Sequence, residues 1–228
     1  MEDITMAGIN MRSEGLVNNL HEYTFHILGC GAIGSSAATQ LARAGAEKFL
    51  LYDMDDVATE NIGVSQYSGE HIDMKKVEAL NEILLGINYK CETMMYPEYY
   101  NMFRYQDNND IVILGFDSMK SRKEAVENIC SNKRTKPYLL IDGRMGGEHY
   151  QQYVFTNVTL ANYLKTWYSD DDGDPEPCNV KATTYCSNMA GSFIVNAIRK
   201  IVTKSPYEKE LTFNFPSMTL QKNTCLPV

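Results

Sequence analysis

Short apolar runs alternate with amphipathic stretches over the first two thirds of the chain. Residues 24–28 (TFHIL), 48–52 (KFLLY), 91–96 (CETMMY), 111–115 (IVILG) and 138–142 (YLLID) are bounded by turn-forming or charged residues. Each has the length and the apolar content of a strand. The segments between them have helical spacing. One follows Gly34 and closes near Gly45, a second covers residues 75–88 and a third residues 121–133. In the second, Val77, Leu80, Ile83, Leu84 and Ile87 fall on one face. Strands alternating with helices of this length predict an α/β fold, a Rossmann-like, mostly parallel sheet with helices on both faces.

The rhythm changes after Asp142. Residues 143–156 (GRMGGEHYQQYVFT) read as a turn and then a strand, with residues 211–215 (LTFNF) as company. These predict antiparallel strands extending the sheet near the C-terminus. Residues 176–202 end in a helix whose stripe is Met189, Phe193, Ile194, Ala197, Ile198 and Ile201, the pattern of core packing.

Composition narrows the function classes. The chain has 228 residues, 44% of them hydrophobic, which suits one domain with a sizeable core. The formal net charge is −8 and no basic tract is present, so a nucleic-acid partner is not expected. No apolar run approaches the ~20 residues of a membrane helix, and the first fifteen residues lack the apolar centre of a signal peptide. The six cysteines form no Cys-x-x-Cys pair, so neither structural zinc nor a disulfide framework is expected. Together these predict a cytoplasmic protein with no membrane association.

The chemistry begins at Gly29-Cys30-Gly31-Ala32-Ile33-Gly34, which follows a predicted strand and opens a helix. That context is the one a dinucleotide fingerprint requires. Gly29 permits the tight turn, Gly31 lets a phosphate or ribose approach the backbone, and Gly34 lets helix and strand pack closely. The amides of Ala32 and Ile33 open the helix and offer an anion site. Asp53, at the end of the second strand, is placed to accept hydrogen bonds from ribose hydroxyls. Asp53-x-Asp55, then Asn61, then Lys76 opening a helix, is harder to assign to redox work. A lysine there suits an enzyme in which charge builds on an α-phosphate as pyrophosphate leaves. The fourth strand ends in ILGFDSMKSR, which puts Asp117 at a carboxyl end of the sheet and Arg122 five residues on. Such a carboxylate can hold Mg²⁺ against triphosphate oxygens. The plainer readings are an N-cap for Asp117 and an orienting salt bridge for Arg122.

These residues, in this order and spacing, resemble the ThiF/MoeB/HesA family, the bacterial relatives of ubiquitin-activating enzymes. The resemblance rests on Gly29, Gly31, Gly34, Asp53, Asp55, Asn61, Lys76, Asp117 and Arg122, spans about residues 24–145 and continues loosely beyond Cys186. It implies an ATP-dependent adenylyltransferase that activates the C-terminal glycine carboxylate of a small ubiquitin-like or sulfur-carrier protein. In that reading Asp53 binds ribose, Asn61 and Lys76 contact phosphates, and Asp117 holds magnesium and positions the attack. The resemblance divides residues 1–228 into an N-terminal arm (1–23), a nucleotide-binding core (24–145) and a mixed extension (146–228), and it implies a homodimer.

Two departures stand out. Val64 occupies the place of an arginine usual in the family. Arg144 is a candidate replacement from within the chain, and Arg12 one from a neighbouring subunit. The paired zinc motifs of many relatives are absent. Cys178 and Cys186 lie where activating enzymes place a thioester or persulfide cysteine. Cys178 is flanked by prolines and has Lys181 nearby, and it reads either as a nucleophile or as a plain loop cysteine. Two other function classes stay open. An NAD(P)- or FAD-dependent oxidoreductase explains the glycines and Asp53 but leaves Lys76, Asp117 and Arg122 without a role. A non-catalytic nucleotide-binding relative would accommodate Val64.

Overall fold

In a computed structural model, which describes residues 9, 11–132, 134–170 and 182–225, the five apolar runs form the parallel part of one sheet. They are β1 (Thr24–Leu28), β2 (Lys48–Tyr52), β3 (Glu92–Tyr96), β4 (Asp110–Leu114) and β5 (Leu139–Gly146). Strands β6 (His149–Phe155), β7 (Tyr207–Asn214) and β8 (Thr219–Cys225) continue it antiparallel. The order is β3-β2-β1-β4-β5-β6-β7-β8.

Central strands β1 and β4 are buried at every position, as strands covered on both faces must be. Alternate residues feed two cores. Phe25, Ile27, Phe49 and Leu51 pack under α1 (Ala32–Arg43), α3 (Lys76–Ile87) and α6 (Thr184–Val202). Leu28, Leu50, Val112 and Leu114 pack under α4 (Met119–Ser131) and the single-turn α5 (Leu160–Tyr163). A further short helix, α2 (Thr59–Ile62), leads toward α3. The predicted helix faces point inward. Val77, Leu80 and Leu84 of α3 and Ile194, Ala197, Ile198 and Ile201 of α6 are buried, with Ile83, Ile87, Met189 and Phe193 packed at the margins.

Two elements differ from expectation. The turn expected directly after Asp142 lies further on, because β5 continues to Gly146 and reverses at Gly147 and Glu148. Gly143 is there for close packing. A Cβ on it would lie 3.2 Å from both Ile194 Cδ1 and the Tyr150 hydroxyl. Strand β8 is not expected from the sequence pattern. Its residues 219–224 are all exposed, so they carry no alternation of apolar and polar side chains.

The chain leaves β1 for β2 on one side and reaches β4 on the other, which opens a crevice at the carboxyl ends of β1 and β4. The glycine turn lies there. Gly29 has φ +92°, and a Cβ on it would lie 2.8 Å from the carbonyl carbon of Gly115. A Cβ on Gly34 would lie 1.9 Å from the Gly29 oxygen, whereas one on Gly31 would meet nothing within 4 Å. Gly34→Ala should therefore cost about 1–3 kcal/mol or more through overpacking against main chain. Gly31→Ala should stay within about 1 kcal/mol. Urea denaturation of the two variants checks the contrast, and equal midpoints would refute it.

Candidate functional site

The crevice is a cleft of about 510 Å³. Gly29, Gly31, Ala32 and Ile33 line it from the glycine turn, Asp53 and Asp55 from the end of β2, and Asn61, Val64, Ser65 and Lys76 from the α2–α3 region. Gly115, Phe116, Asp117, Ser121 and Arg122 close it from the end of β4 and the start of α4. Sequence order alone separates these groups by up to 93 positions, and the strand order brings them together. Among the residues singled out above, Gly34 is spent on packing beneath the turn, and Cys178 lies outside the described residues, as does Lys181.

Asp53 ties the glycine turn to β2. Its Oδ2 accepts the Cys30 N–H at 2.7 Å, and its Oδ1 accepts the Asp55 N–H at 3.0 Å. Burial pushes the Asp53 carboxyl above its ordinary range, opposed by Lys76 and by these two N–H donors. Lys76 Nζ lies 2.8 Å from Asp55 Oδ2 and 4.0 Å from Asp53 Oδ1. Burial alone would lower the lysine, but the two carboxylates outweigh it and hold the ammonium above its usual value. The Tyr67 hydroxyl, 2.5 Å from the Cys30 carbonyl and 3.2 Å from the Lys76 carbonyl, spans the turn and the start of α3. Asn61 accepts the Ala58 N–H at 2.9 Å through Oδ1, and its Nδ2 has no partner among the described residues.

Asp117 is exposed on the loop between β4 and α4, and no hydrogen bond or ion pair engages it among the described residues. It is not the cap of α4. Ser118 is, its Oγ accepting the Ser121 N–H at 3.1 Å, and Asp170 accepts the Met119 and Lys120 N–H groups at 2.7 and 3.1 Å. Arg122 is 3% exposed. Its guanidinium pairs with Asp142 and donates to the Leu114 carbonyl at 3.3 Å and to the Phe116 carbonyl. It thereby holds the strand end and the loop that carry Asp117.

Arg144 does not replace the cation missing at Val64. It shares the face of β5 with Asp142, binds that carboxylate through Nε at 2.9 Å and Nη2 at 2.7 Å, and donates to the Thr166 carbonyl at 2.7 Å. That places it behind Arg122 rather than in the cleft. Arg12 is exposed and does not line the cleft of its own chain. Cys186 is buried in the core, and its thiol is pushed up to about 11 by burial, with Glu148 adding to the shift. A thiol held protonated is a poor nucleophile.

The sequence pattern does not announce the aromatic wall of the cleft. Tyr52, Tyr99, Tyr100 and Phe116 line the cleft together with Met54, Glu98 and Met145. Tyr52 and Tyr100 meet edge to face at 5.2 Å, and Tyr100 lies 6.3 Å from Phe116. The run PEYYNMF after β3 carries the signal, but a loop sequence does not reveal which way its rings turn.

Known proteins resemble this chain in sequence and in fold. Ubiquitin-like modifier-activating enzyme 5 of Oryza sativa subsp. japonica is 36% identical over 77 residues, 32% of this chain and 18% of that protein. The tRNA threonylcarbamoyladenosine dehydratase of Escherichia coli (strain K12) is 30% identical over 145 residues, 61% of this chain and 52% of that protein. Among solved structures, E. coli MccB with ATP superposes with a TM-score of 0.66 at 15% identity, covering 92% of this chain and 66% of that one, a likeness of fold. The chain thus spans about half or less of these two curated relatives' length. The ThiF family profile matches residues 5–227, and the chain belongs to the ThiF family.

Proposed function

We propose that the cleft binds ATP and transfers its adenylyl group to the terminal carboxylate of a small peptide or protein. The observation that carries this reading is the meeting of Asp53, Lys76 and Asp117 around one glycine turn. A redox site has no use for the last two. A carboxylate oxygen of the acceptor bonds to the α-phosphorus while the bond to the β-phosphate breaks, giving an acyl-adenylate and pyrophosphate. Such a displacement depends on positioning and on charge stabilisation rather than on covalent help from the protein.

In this proposal Asp53 holds ribose hydroxyls, the open face at Gly31 admits the phosphates, and Lys76 turns from Asp55 toward the α-phosphate as charge grows there. Arg122 acts through the loop it braces. Asp117 fits magnesium, being an unengaged, exposed hard-oxygen donor in a site with no cluster of three His, Cys, Asp or Glu among the described residues. Mg²⁺ commonly takes one or two carboxylates with phosphate and water. Bound there, it would neutralise triphosphate charge. Relatives named for activating ubiquitin-like modifiers favour a protein acceptor, the net charge of −8 disfavours a nucleic acid, and the proposal gives that acceptor a C-terminal glycine. The proposal includes a homodimer and gives Cys178 no part in the adenylation step.

Thermal unfolding tests the nucleotide. Mg-ATP at a hundredfold excess over its Kd should stabilise the fold by about 2.7 kcal/mol, and NAD should not. A shift with NAD alone would overturn the reading in favour of an oxidoreductase. Among the described residues no helix is long and apolar enough to cross a membrane.

A further inference from the structure

The charges lining the cleft are unlike those of a site built to grip a free polyphosphate. Among the described residues, four carboxylates face it, from Asp53, Asp55, Glu98 and Asp117, against two cations, Lys76 and Arg122. Both cations already have carboxylate partners. Lys76 is held by Asp55 at 2.8 Å, and Arg122 by the fully buried Asp142. Glu98 is paired at 2.8 Å with Arg104, whose guanidinium lies over the Tyr96 ring at 3.8 Å and which does not line the cleft. The stretch between α2 and α3 adds a neutral patch, Val64 and Ser65, the latter 9% exposed and with no hydrogen-bond partner for its Oγ among the described residues. The ends of β2 and β4 and the loop after β3 give an apolar and aromatic lining, with Met54, Tyr52, Tyr100 and Phe116.

We propose, resting on the nucleotide reading above, that the cleft selects adenosine compounds of low charge and holds those with a single 5′-phosphate more tightly than free ATP. The aromatic wall and Asp53 supply recognition of the nucleoside. Every phosphate beyond the first adds negative charge facing a net negative lining, where an ion pair at Lys76 must also be opened. The selectivity matches the order of the reaction. An acyl-adenylate, with one phosphate charge, is retained, and pyrophosphate is expelled as soon as its bond breaks. Val64 is one of the uncharged lining residues at which a cation can be introduced.

Calorimetric titration with adenosine, AMP and ATP in EDTA at low ionic strength tests this. Adenosine and AMP should bind at least tenfold more tightly than ATP. Raising the salt to about 0.3 M should strengthen ATP binding several-fold, because it screens repulsion rather than attraction. Val64→Arg should narrow the gap between adenosine and ATP, measured in the same variant, to threefold or less. Glu98→Gln, which removes a carboxylate and frees Arg104, should move ATP in the same direction should the first variant fail to fold. ATP binding as tightly as adenosine to the unmodified chain, or weakening with salt, overturns the selectivity and leaves the nucleotide reading standing. No binding of any of the three, with or without Mg²⁺, overturns both.

Discussion

Alanine at Asp117 should abolish adenylyl transfer and leave the fold untouched. The side chain is exposed, caps no helix and engages no partner among the described residues, so its removal breaks no contact that stabilises the chain. The loop that carries it is held by Arg122 through the carbonyls of Leu114 and Phe116, and those bonds survive the substitution. What disappears is a lining carboxylate at the end of β4 that has no partner among the described residues. Loss of a single charged group that stabilises a transition state typically costs about 10²–10³ in rate. With Asp117 holding magnesium as proposed, the loss should reach the upper end of that range or beyond. Pyrophosphate exchange measured with a Gly-Gly-terminated acceptor checks it, alongside urea denaturation and adenosine binding, neither of which should change. Full exchange in Asp117→Ala would move the reaction to another part of the cleft.

The largest stability effect is expected at Asp142. This carboxylate is fully buried between two guanidiniums that are themselves almost sealed from water, with side chains 4% and 5% exposed. Removing one member of a buried ion pair commonly costs about 3–5 kcal/mol, because it strands an uncompensated charge. Asp142→Ala strands two, so a loss of about 5 kcal/mol is expected, a large share of the roughly 5–15 kcal/mol total typical of domains. Asp142→Asn retains an acceptor of the same shape and should lose less. Urea midpoints of the two variants measure the difference. If Asp142→Ala unfolds within about 1 kcal/mol of the parent, the two arginines have found water or other partners, and the network is not what braces the Asp117 loop.

Much of this arrangement is legible in the sequence, and the limits have physical causes. The central strands announce themselves because both of their faces are buried and nearly every position is apolar. The helix faces follow from the 3.6-residue repeat. Asp53, Lys76 and Asp117 can be brought together from residue order alone, because alternating strands and helices carry successive carboxyl ends to one edge. Strand β8 escapes such reading because a strand exposed on both faces loses the alternation by which strands are recognised. Arg144 is misplaced by the sequence pattern for a related reason. With the strand ended at Asp142, Arg144 belongs to a loop and is free to reach the phosphates. With the strand continued to Gly146, it lies two residues from Asp142 on the same face, and the ion pair follows from the pleat. Asp170 is out of reach for another cause. It meets α4 across 51 positions through loop geometry that no local pattern encodes.

The contact between Gly29 and Gly115 bears on how this cleft can change. Where the two strand ends meet, main chain lies against main chain, and any Cβ at residue 29 would collide with the Gly115 carbonyl group. The base of the cleft is therefore nearly independent of side-chain identity, and substitution there damages the fold before it alters recognition. The rim is the reverse. Met54, Val64, Glu98, Tyr99 and Met145 line the cleft, and none is in the fully buried core. Ancestral drift or laboratory selection toward a new acceptor has those positions to work with, and the same backbone floor can serve chemically different partners while the rim alone is rewritten.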